Sequence, residues 1–539
     1  MAIFSLFLIM VMLITGGMAV DLMRLETHRI RLQATLDRAV LAAADLEQTL
    51  DPETVVRDYF AKADLLDDLT SVIVTEGLNS RTVNAVATTD VDMIFMRMMG
   101  IDTMVAPAAG TAAESVTDIE IIMVLDVSGS MGSNSKLTNL KTAAEDFVAT
   151  VFSGDSEGRI SIGIVPFNGQ VNLGAALLAQ YNVTDQHGLA NSNCVDLPPA
   201  AYSGSDISTT LAMPQTAFVD TYSGTSHSSG YVNYSSYPPY WSYGHMVNAW
   251  CPPEATNTVF LPSRNQGQLI SHINGLYAIG ATSINAGMRW GTELLDSGSR
   301  PMFTDLISDG EISASFTGRP YDYFTTNTMK VVVLMTDGQH FAEERINDGF
   351  RIGLSPIYRG EDGKYSIYHA NQSGSNKYYV PHTGGWQNGP WTGGSSGGDW
   401  VWNGWQWVWQ NGSVGTATQQ TWPEVWSDLR LSYVAWQFYA RAFGYNSYSR
   451  DSVYAATMAT IRDQTPTSEM DTQLQAMCTA SRNNGIVIFG IAFEAPANGE
   501  NQIFQCASSP SHFYDASGLE IVSVFQSIAN RINSLRLTQ

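Results

Sequence analysis

The sequence predicts an α/β fold: a doubly wound, mostly parallel sheet with two large insertions, preceded by a transmembrane helix and a small helix-plus-strand segment. Three observations carry this expectation. Short apolar runs at residues 119–126, 160–167, 330–336 and 486–493 read as strands buried on both faces, and amphipathic stretches alternate with them. Two of these runs end in a carboxylate, Asp126 and Asp337, the position at which open α/β sheets bind ligands. Residues 1–20 carry no charged side chain and suffice, as a helix, to cross a hydrocarbon core.

The apolar span comes first. A cleaved signal peptide would carry a basic stretch ahead of it, and none is present. Helical spacing continues past the span through Leu22, Leu25, Ile30, Leu32, Leu36 and Leu41, so an uncleaved anchor is expected. Residues 31–44 are strongly helix-forming. Residues 83–104 mix β-branched and Met-rich runs, broken at Gly100. Residues 21–115 therefore read as a juxtamembrane helix followed by short strands.

The sheet follows from residue 116 to 539. Its first part is strand 119–126, helix 137–152 and strand 160–167. Helix 268–276, a loop at Thr282, helix 285–295 and strand 330–336 form the second part. Helix 474–482, strand 486–493, strand 512–514 and a terminal helix over 519–535 complete it. The first strand runs out into Asp126-Val127-Ser128-Gly129-Ser130, which brings one carboxylate and two hydroxyls to the carboxyl edge. Hard oxygen donors on a tight turn suit Mg²⁺ or Mn²⁺ better than a soft metal. Thr282, after Gly280-Ala281, offers another hydroxyl at a helix start, and Asp337 a second carboxylate. Alone, each aspartate could equally cap a helix or turn.

The set D-x-S-x-S, then T, then D, resembles the metal-ion-dependent adhesion site of von Willebrand factor A domains, matched by Asp126, Ser128, Ser130, Thr282 and Asp337. The resemblance implies an A-like fold in which Ser128, Ser130 and Thr282 bind the ion directly and the carboxylates bind it directly or through water. It also implies that the acidic side chain of a protein ligand or surface completes the coordination.

At the amino terminus, an apolar span leads into A-x-D-x-x-R and then L-Q-x-x-x-D-x-A-x-L-A-A-A. The residues are Ala19, Asp21, Arg24, Leu32, Gln33, Asp37, Ala39, Leu41, Ala42, Ala43 and Ala44. This layout resembles TadG-like proteins of the tight-adherence (Flp) pilus system. So does the tail C-A-S-x-P-x-x-x-Y-x-A, from Cys506 to Ala516, which is similar to that of pilus-linked A domains. The resemblance implies work in Flp pilus assembly or cell adhesion, with other pilus-assembly proteins as partners. Such proteins usually begin with a basic segment that this chain lacks, and no prepilin-type processing site is visible.

Two insertions split the A domain, at about 172–263 and 339–470. Neither shows the aliphatic periodicity of an independent core, so both are expected to lie over the sheet. The second leaves directly after Asp337, where it can wall or lid the metal edge. It holds ten of the thirteen tryptophans. Trp400, Trp402, Trp405, Trp407 and Trp409 lie close together, the last three at the spacing of one strand face. Core filling is the expectation for them. A platform that stacks on sugar rings or aromatic partners is the alternative, and burial of all five would dispose of it. Residues 431–443 read as an aromatic helix face that packs in a core. Four cysteines permit three pairings. Expected are Cys194–Cys251, closing the first insertion, and Cys478–Cys506, tying helix 474–482 to the loop after strand 486–493. Free buried thiols would instead fit a cytoplasmic location.

Composition narrows the function. Net charge is −23, and no basic run suggests nucleic acid or anionic lipid as a partner. Arg24, Arg29, Arg31 and Arg38 follow the span, which by the positive-inside rule would hold the bulk of the chain in the cytoplasm. The paired cysteines and the Lys-poor, Ser-, Gly-, Tyr- and Trp-rich composition point the other way. A start assigned downstream of the true one would reconcile the two. The expected location is the bacterial inner membrane, single-pass, with the bulk periplasmic or surface-exposed. A metal-dependent phosphohydrolase and an assembly scaffold unrelated to pili are the competing functions. The first lacks a second carboxylate where Ser128 and Ser130 stand, a phosphate-binding glycine loop and a G-x-S-x-G elbow. Glu145 and Asp146 lie within a helix, and the nine histidines are scattered. The expectation is a binding protein, not an enzyme.

Overall fold

The structure, a computed structural model, describes the chain outside residues 1, 46–47, 49, 77–79, 116–117, 154, 156–157, 205, 221–248, 394–398, 403–404, 411–414 and 539. It divides into two compact units. One comprises Met1–Asp118, Thr325–Met329 and Asn533–Gln539, and the other Ile119–Phe324 and Lys330–Ile532.

The first unit is built on α1 (Ala2–Ala44), a single helix of 43 residues. Its amino-terminal half is exposed and apolar from Ile3 to Leu13. Its carboxyl half presents Leu32, Leu36, Ala39, Val40 and Ala43 at helical spacing to a core shared with α2 (Pro52–Lys62). The other wall is an antiparallel sheet of β1 (Leu69–Glu76), β2 (Ser80–Asp92) and β3 (Thr103–Ser115). Gly110 on β3 lets the helix come close, since a Cβ there would meet Leu36 Cδ2 at 2.6 Å. Asp51 caps α2, accepting the Thr54 N–H. The strands are longer than the short ones expected, because β2 and β3 pair without a break over thirteen residues.

The second unit is organised by a six-stranded sheet. Its members are β4 (Asp118–Asp126), β5 (Ile160–Phe167), β8 (Phe260–Ser263), β9 (Thr328–Thr336), β19 (Val487–Phe493) and β20 (Phe513–Ala516), ordered β20-β19-β9-β4-β5-β8. The pairs β4–β5, β9–β19 and β19–β20 are parallel, whereas β8 runs antiparallel to β5. Every residue of β4 and β5 is buried, as strands covered on both faces must be. On one face Ile122 and Val124 join a core with α6 (Ile284–Glu293), α7 (Arg300–Ser308), α12 (Thr467–Asn483) and α13 (Ala497–Cys506). Their neighbours Ile121, Met123 and Leu125 point the other way. Outside that core, α3 (Lys136–Ser153), α5 (Gln266–Gly275) and α14 (Glu520–Thr538) each bury an apolar face, with Phe147 of α3 edge-on to Phe525 of α14.

The sheet corrects the sequence reading in three places. The first insertion ends not outside the sheet but as its edge strand β8. Helices α7 and α13 lie where no element was expected. Cys506 lies at the end of α13, so the Cys478–Cys506 disulfide joins two helices rather than a helix and a loop. The second disulfide, Cys194–Cys251, closes the first insertion. That insertion also contains α4 (Gly174–Leu178) and the short parallel pair β6 (Val183–Thr184) and β7 (Met213–Pro214). Its Leu173, Leu177, Val195, Leu197 and Ile207 enter the main core.

The second insertion departs from expectation, because it has a core of its own. It contains β10 (Glu343–Ile346), β11 (Leu354–Gly360), β12 (Tyr365–Tyr368), β13 (Tyr378–Val380), β14 (Gly385–Gln387), the hairpin β15 (Asp399–Trp402) and β16 (Trp407–Gln410), and β17 (Ala417–Thr421). Then come α8 (Trp422–Asp428), α9 (Leu431–Val434), a π-helical stretch (Ala435–Ala440), α10 (Arg441–Phe443), α11 (Ser447–Ile461) and β18 (Arg462–Thr465), which pairs with β10. A five-stranded sheet, β14-β13-β12-β11-β17, packs on these helices. Aromatic side chains replace the missing aliphatics: Tyr365, Tyr379, Trp422, Trp426, Tyr433 and Phe438 are buried together. The clustered tryptophans do not take that role. Trp402, Trp405 and Trp407 on the hairpin are 52%, 91% and 61% exposed, which contradicts core filling for these three. Trp402 and Trp407 lie instead against each other across the hairpin, ring centroids 5.7 Å apart. The side chains of Trp400 and Trp409 lie outside the described residues.

Candidate metal centre

β4 sends its successor β5 to one side, while β9 lies on its other side. The order of strands therefore reverses at β4, which opens a crevice beyond the carboxyl ends of β4 and β9. Asp126 ends β4 there, and Asp337 follows Thr336 at the end of β9. The two ends are tied directly, because Thr336 Oγ1 donates to Asp126 Oδ2 at 2.5 Å.

The turn after β4 folds back on its own carboxylate, with the Ser128 N–H donating to Asp126 Oδ1 at 2.7 Å. Ser128 Oγ lies 3.0 Å from Ser130 Oγ, which donates to Asp337 Oδ1 at 2.6 Å. The loop before α6 is laced to this turn, Gly129 N–H donating to Gly280 O at 3.0 Å and Ile279 N–H to Val127 O at 2.9 Å. Gly280 needs its glycine, since it has φ +84°. The loop sets Thr282 against Gly338, where a Cβ would lie 3.4 Å from Thr282 Oγ1. All five residues singled out in the sequence thus stand at one edge of the sheet.

Four further residues complete the site, and the sequence reading missed them. Lys136, buried at the start of α3, puts Nζ 3.0 Å from Asp337 Oδ2 and 3.7 Å from Glu494 Oε2. His340 is buried, its Nε2 accepting the Asn285 N–H at the first turn of α6 and its Nδ1 2.7 Å from Asp471 on α12. Burial pushes the imidazole below its ordinary range, so it is neutral and Nδ1 carries the proton that Asp471 accepts. Lys136 lies ten positions beyond Asp126, at a helix start, but a lone lysine gives no signal of which carboxylate it will meet. Glu494, His340 and Asp471 reach the site only through tertiary packing.

Burial, and then the charge of Asp337, push the Asp126 carboxyl well above the ordinary carboxylate range. Lys136, which meets Asp337 and Glu494, offsets one charge among Asp126, Asp337 and Glu494, so this edge is short of positive charge. Beside the two aspartates stand the hydroxyls of Ser128, Ser130 and Thr282. Such a set, two aspartates and three hydroxyls, fits a hard divalent ion and not a soft one. The residues that would hold it are Asp126, Ser128, Ser130, Thr282 and Asp337.

The two insertions meet beside this edge. Phe341 of the second lies against Trp250 of the first, ring centroids 6.2 Å apart, and the Phe341 N–H donates to Thr282 O at 2.9 Å. Buried ion pairs lock the insertions together, Arg351 to Asp196 at 2.5 Å and Arg430 to Asp220 at 3.0 Å.

No curated protein matches the chain. Among solved structures it is similar to the vWF domain of the type V pili tip protein Mfa5 from Porphyromonas gingivalis, at 11% identity and a TM-score of 0.31, covering 78% of this chain and 96% of that one. It is also similar to the PilB minor pilin from Streptococcus sanguinis (11% identity, TM-score 0.26, 86% and 78% covered). A third is the pilus adhesin RrgA from Streptococcus pneumoniae (11% identity, TM-score 0.28), of which the chain covers 48% with 87% of its own length. Likeness at this level says nothing of what the chain binds. At the amino terminus the match is one of sequence: residues 1–46 match the family described as putative Flp pilus-assembly TadE/G-like.

Proposed function

We propose that the chain is a membrane-anchored, pilus-associated protein of the Flp/Tad system, whose doubly wound A domain binds a partner or surface through a metal-ion-dependent adhesion site. The observation that carries this reading is the convergence of Asp126, Ser128, Ser130, Thr282 and Asp337 at the strand-order reversal, with both carboxylates buried. When bound, Mg²⁺ or Mn²⁺ supplies an electrophilic centre that a partner's Asp or Glu can ligate. The chain's own residues set the charge balance. Lys136 offsets one of the three carboxylates Asp126, Asp337 and Glu494, so a divalent ion balances the other two and leaves no net negative charge to repel an acidic partner. Ser130 holds Asp337 by one oxygen and Lys136 by the other, which fixes the carboxylate before any ligand arrives. The joined insertions form the rim through which a partner must approach, and they govern its choice. The matched amino-terminal segment and the exposed apolar half of α1 support a single-pass anchor in a bacterial inner membrane, with the bulk periplasmic or surface-exposed.

Isothermal titration of the full chain in detergent with MgCl₂ or MnCl₂ tests the centre. The expected result is one site, lost in Asp126→Ala while the circular dichroism spectrum is retained. Equal metal binding by that variant would refute the assignment.

A further inference from the structure

Between β2 and β3 the chain makes a loop, Met93–Asp102, around a short 3₁₀ turn (Met96–Met99) closed by Gly100 at φ +84°. The loop is pinned to α1 at the end of its apolar run. The Asp21 carboxylate is fully buried and accepts three backbone N–H groups, from Ile94 at 3.0 Å, Phe95 at 2.8 Å and Met96 at 2.7 Å. Arg24 Nη1 donates to Asp92 O at 3.4 Å. Gly17 makes room for Phe95, because a Cβ there would lie 2.6 Å from the Phe95 Cβ. The spacing A-x-D-x-x-R thus acquires a physical meaning, since its acid and its base hold this loop.

The pinned loop turns its apolar side chains outward. Met98 is 77% exposed, Ile94 57% and Met99 54%, with Phe95 and Ile101 beside them. Its one basic residue, Arg97, is neutralised by Asp102 at 3.0 Å. Five large apolar side chains on one short loop are too many for scattered surface residues. Gly17 lies three residues short of Val20, so Phe95 stands about 4–5 Å inside the end of the apolar run. If α1 spans a bilayer, the loop is held at the boundary between headgroups and acyl chains.

We propose that the loop Met93–Asp102 is a second membrane contact, whose Ile94, Phe95, Met98, Met99 and Ile101 enter the lipid interface beside α1 and hold the small domain against the bilayer. The inference rests on the reading of α1 as a span, and its occupant is lipid because the patch continues the exposed apolar surface of that helix. The loop carries no net charge to recruit anionic headgroups, so zwitterionic lipid suffices.

The test uses the full chain in phosphatidylcholine vesicles, with Phe7→Cys, Ile73→Cys and Met98→Cys each labelled by an environment-sensitive fluorophore. The native cysteines are disulfide-bonded, so only the introduced thiol reacts. Ile73 pairs with Asn84, eight residues up β2 from Asp92 and therefore about 26 Å from the loop. The label at Met98 should be quenched several-fold more by lipids carrying a nitroxide near the headgroup than the label at Ile73, and should be protected from aqueous iodide. The label at Phe7 should be quenched by lipids carrying the nitroxide deep in the chain. Quenching at Phe7 with a Met98 label as iodide-accessible as the Ile73 label would overturn the proposal and leave the span intact. Absence of quenching at Phe7 would overturn the span and the proposal with it.

Discussion

Replacing Lys136 with methionine isolates the charge balance of the metal edge, because methionine keeps the apolar stem and removes only the ammonium. Lys136 Nζ lies 3.0 Å from Asp337 Oδ2, with both side chains nearly or fully buried. Removing one partner of a buried pair strands the other charge, at a cost of about 3–5 kcal/mol. A folded unit of this size loses about 1 °C in Tm per kcal/mol. In EDTA the Lys136→Met chain should therefore melt about 3–6 °C below the wild type. A divalent ion removes the deficit by supplying the missing positive charge. Mg²⁺ should accordingly raise the Tm of the variant more than that of the wild type, and bind it about ten- to hundredfold more tightly, equivalent to roughly 1.4–2.8 kcal/mol. Without the ammonium the ion-loaded site keeps a net negative charge from Asp126, Asp337 and Glu494 that repels a partner's carboxylate, so adhesion should weaken while metal binding strengthens. Differential scanning fluorimetry and calorimetric titration of the full chain in detergent, in EDTA and across a MgCl₂ series, read both quantities. Unchanged Tm in EDTA together with weaker Mg²⁺ binding would refute the reasoning, since Lys136 would then be assisting the ion rather than standing in for it.

Three further outcomes follow from other parts of the molecule. Loss of either disulfide, which close separations of 57 and 28 residues, should cost about 4 kcal/mol by chain entropy, read as lowered denaturant midpoints in Cys194→Ala/Cys251→Ala and Cys478→Ala/Cys506→Ala; midpoints within error of wild type would contradict it. His272 is pushed down to about 4 by burial, so the unfolded chain takes up its proton first as pH falls from 6.5. Its stabilising contribution is therefore present above pH 6.5 and lost toward pH 4, by about 3 kcal/mol, and His272→Leu should flatten that part of the urea stability profile. Arg289→Met strands Glu293, which Arg289 meets at 2.6 Å on a fully buried stretch of α6, and should lower stability by about 3–5 kcal/mol; a loss under about 1 kcal/mol would show that the other donors to Glu293 suffice.

How much of this was legible in the sequence follows the range of the interactions. The buried strands were, because a strand covered on both faces must be apolar at every position, and Ile121 to Leu125 or Val331 to Met335 can satisfy that in no other way. That Asp126, Ser128, Ser130, Thr282 and Asp337 meet at one sheet edge was legible because each sits within a few residues of a strand end or helix start. The second insertion was misread because its periodicity was sought in aliphatic residues, whereas Trp422, Trp426, Tyr433 and Phe438 fill its core. Of the tryptophans densest in sequence, Trp402, Trp405 and Trp407 on the β15–β16 hairpin are exposed and do not fill it. Local density of large apolar residues does not reveal whether a second layer will cover them.

The same distinction separates the proposed ligands from their supports. A ligand's identity is fixed by chemistry that one residue displays, such as a carboxylate or hydroxyl on a turn. A support's identity depends on what it reaches across the fold. Lys136 meets Asp337 over 201 residues of chain, and His340 meets Asp471 over 131. The second of these spans the whole second insertion, which leaves the sheet just after Asp337 and returns at α12. His340 takes the Asn285 N–H at the start of α6 and gives its proton to Asp471 on α12, so the two ends of the insertion close on each other beside Thr282. The insertion is therefore not simply hung from the sheet edge: its stem, through the Phe341 N–H on Thr282 O, is part of what positions the Thr282 loop.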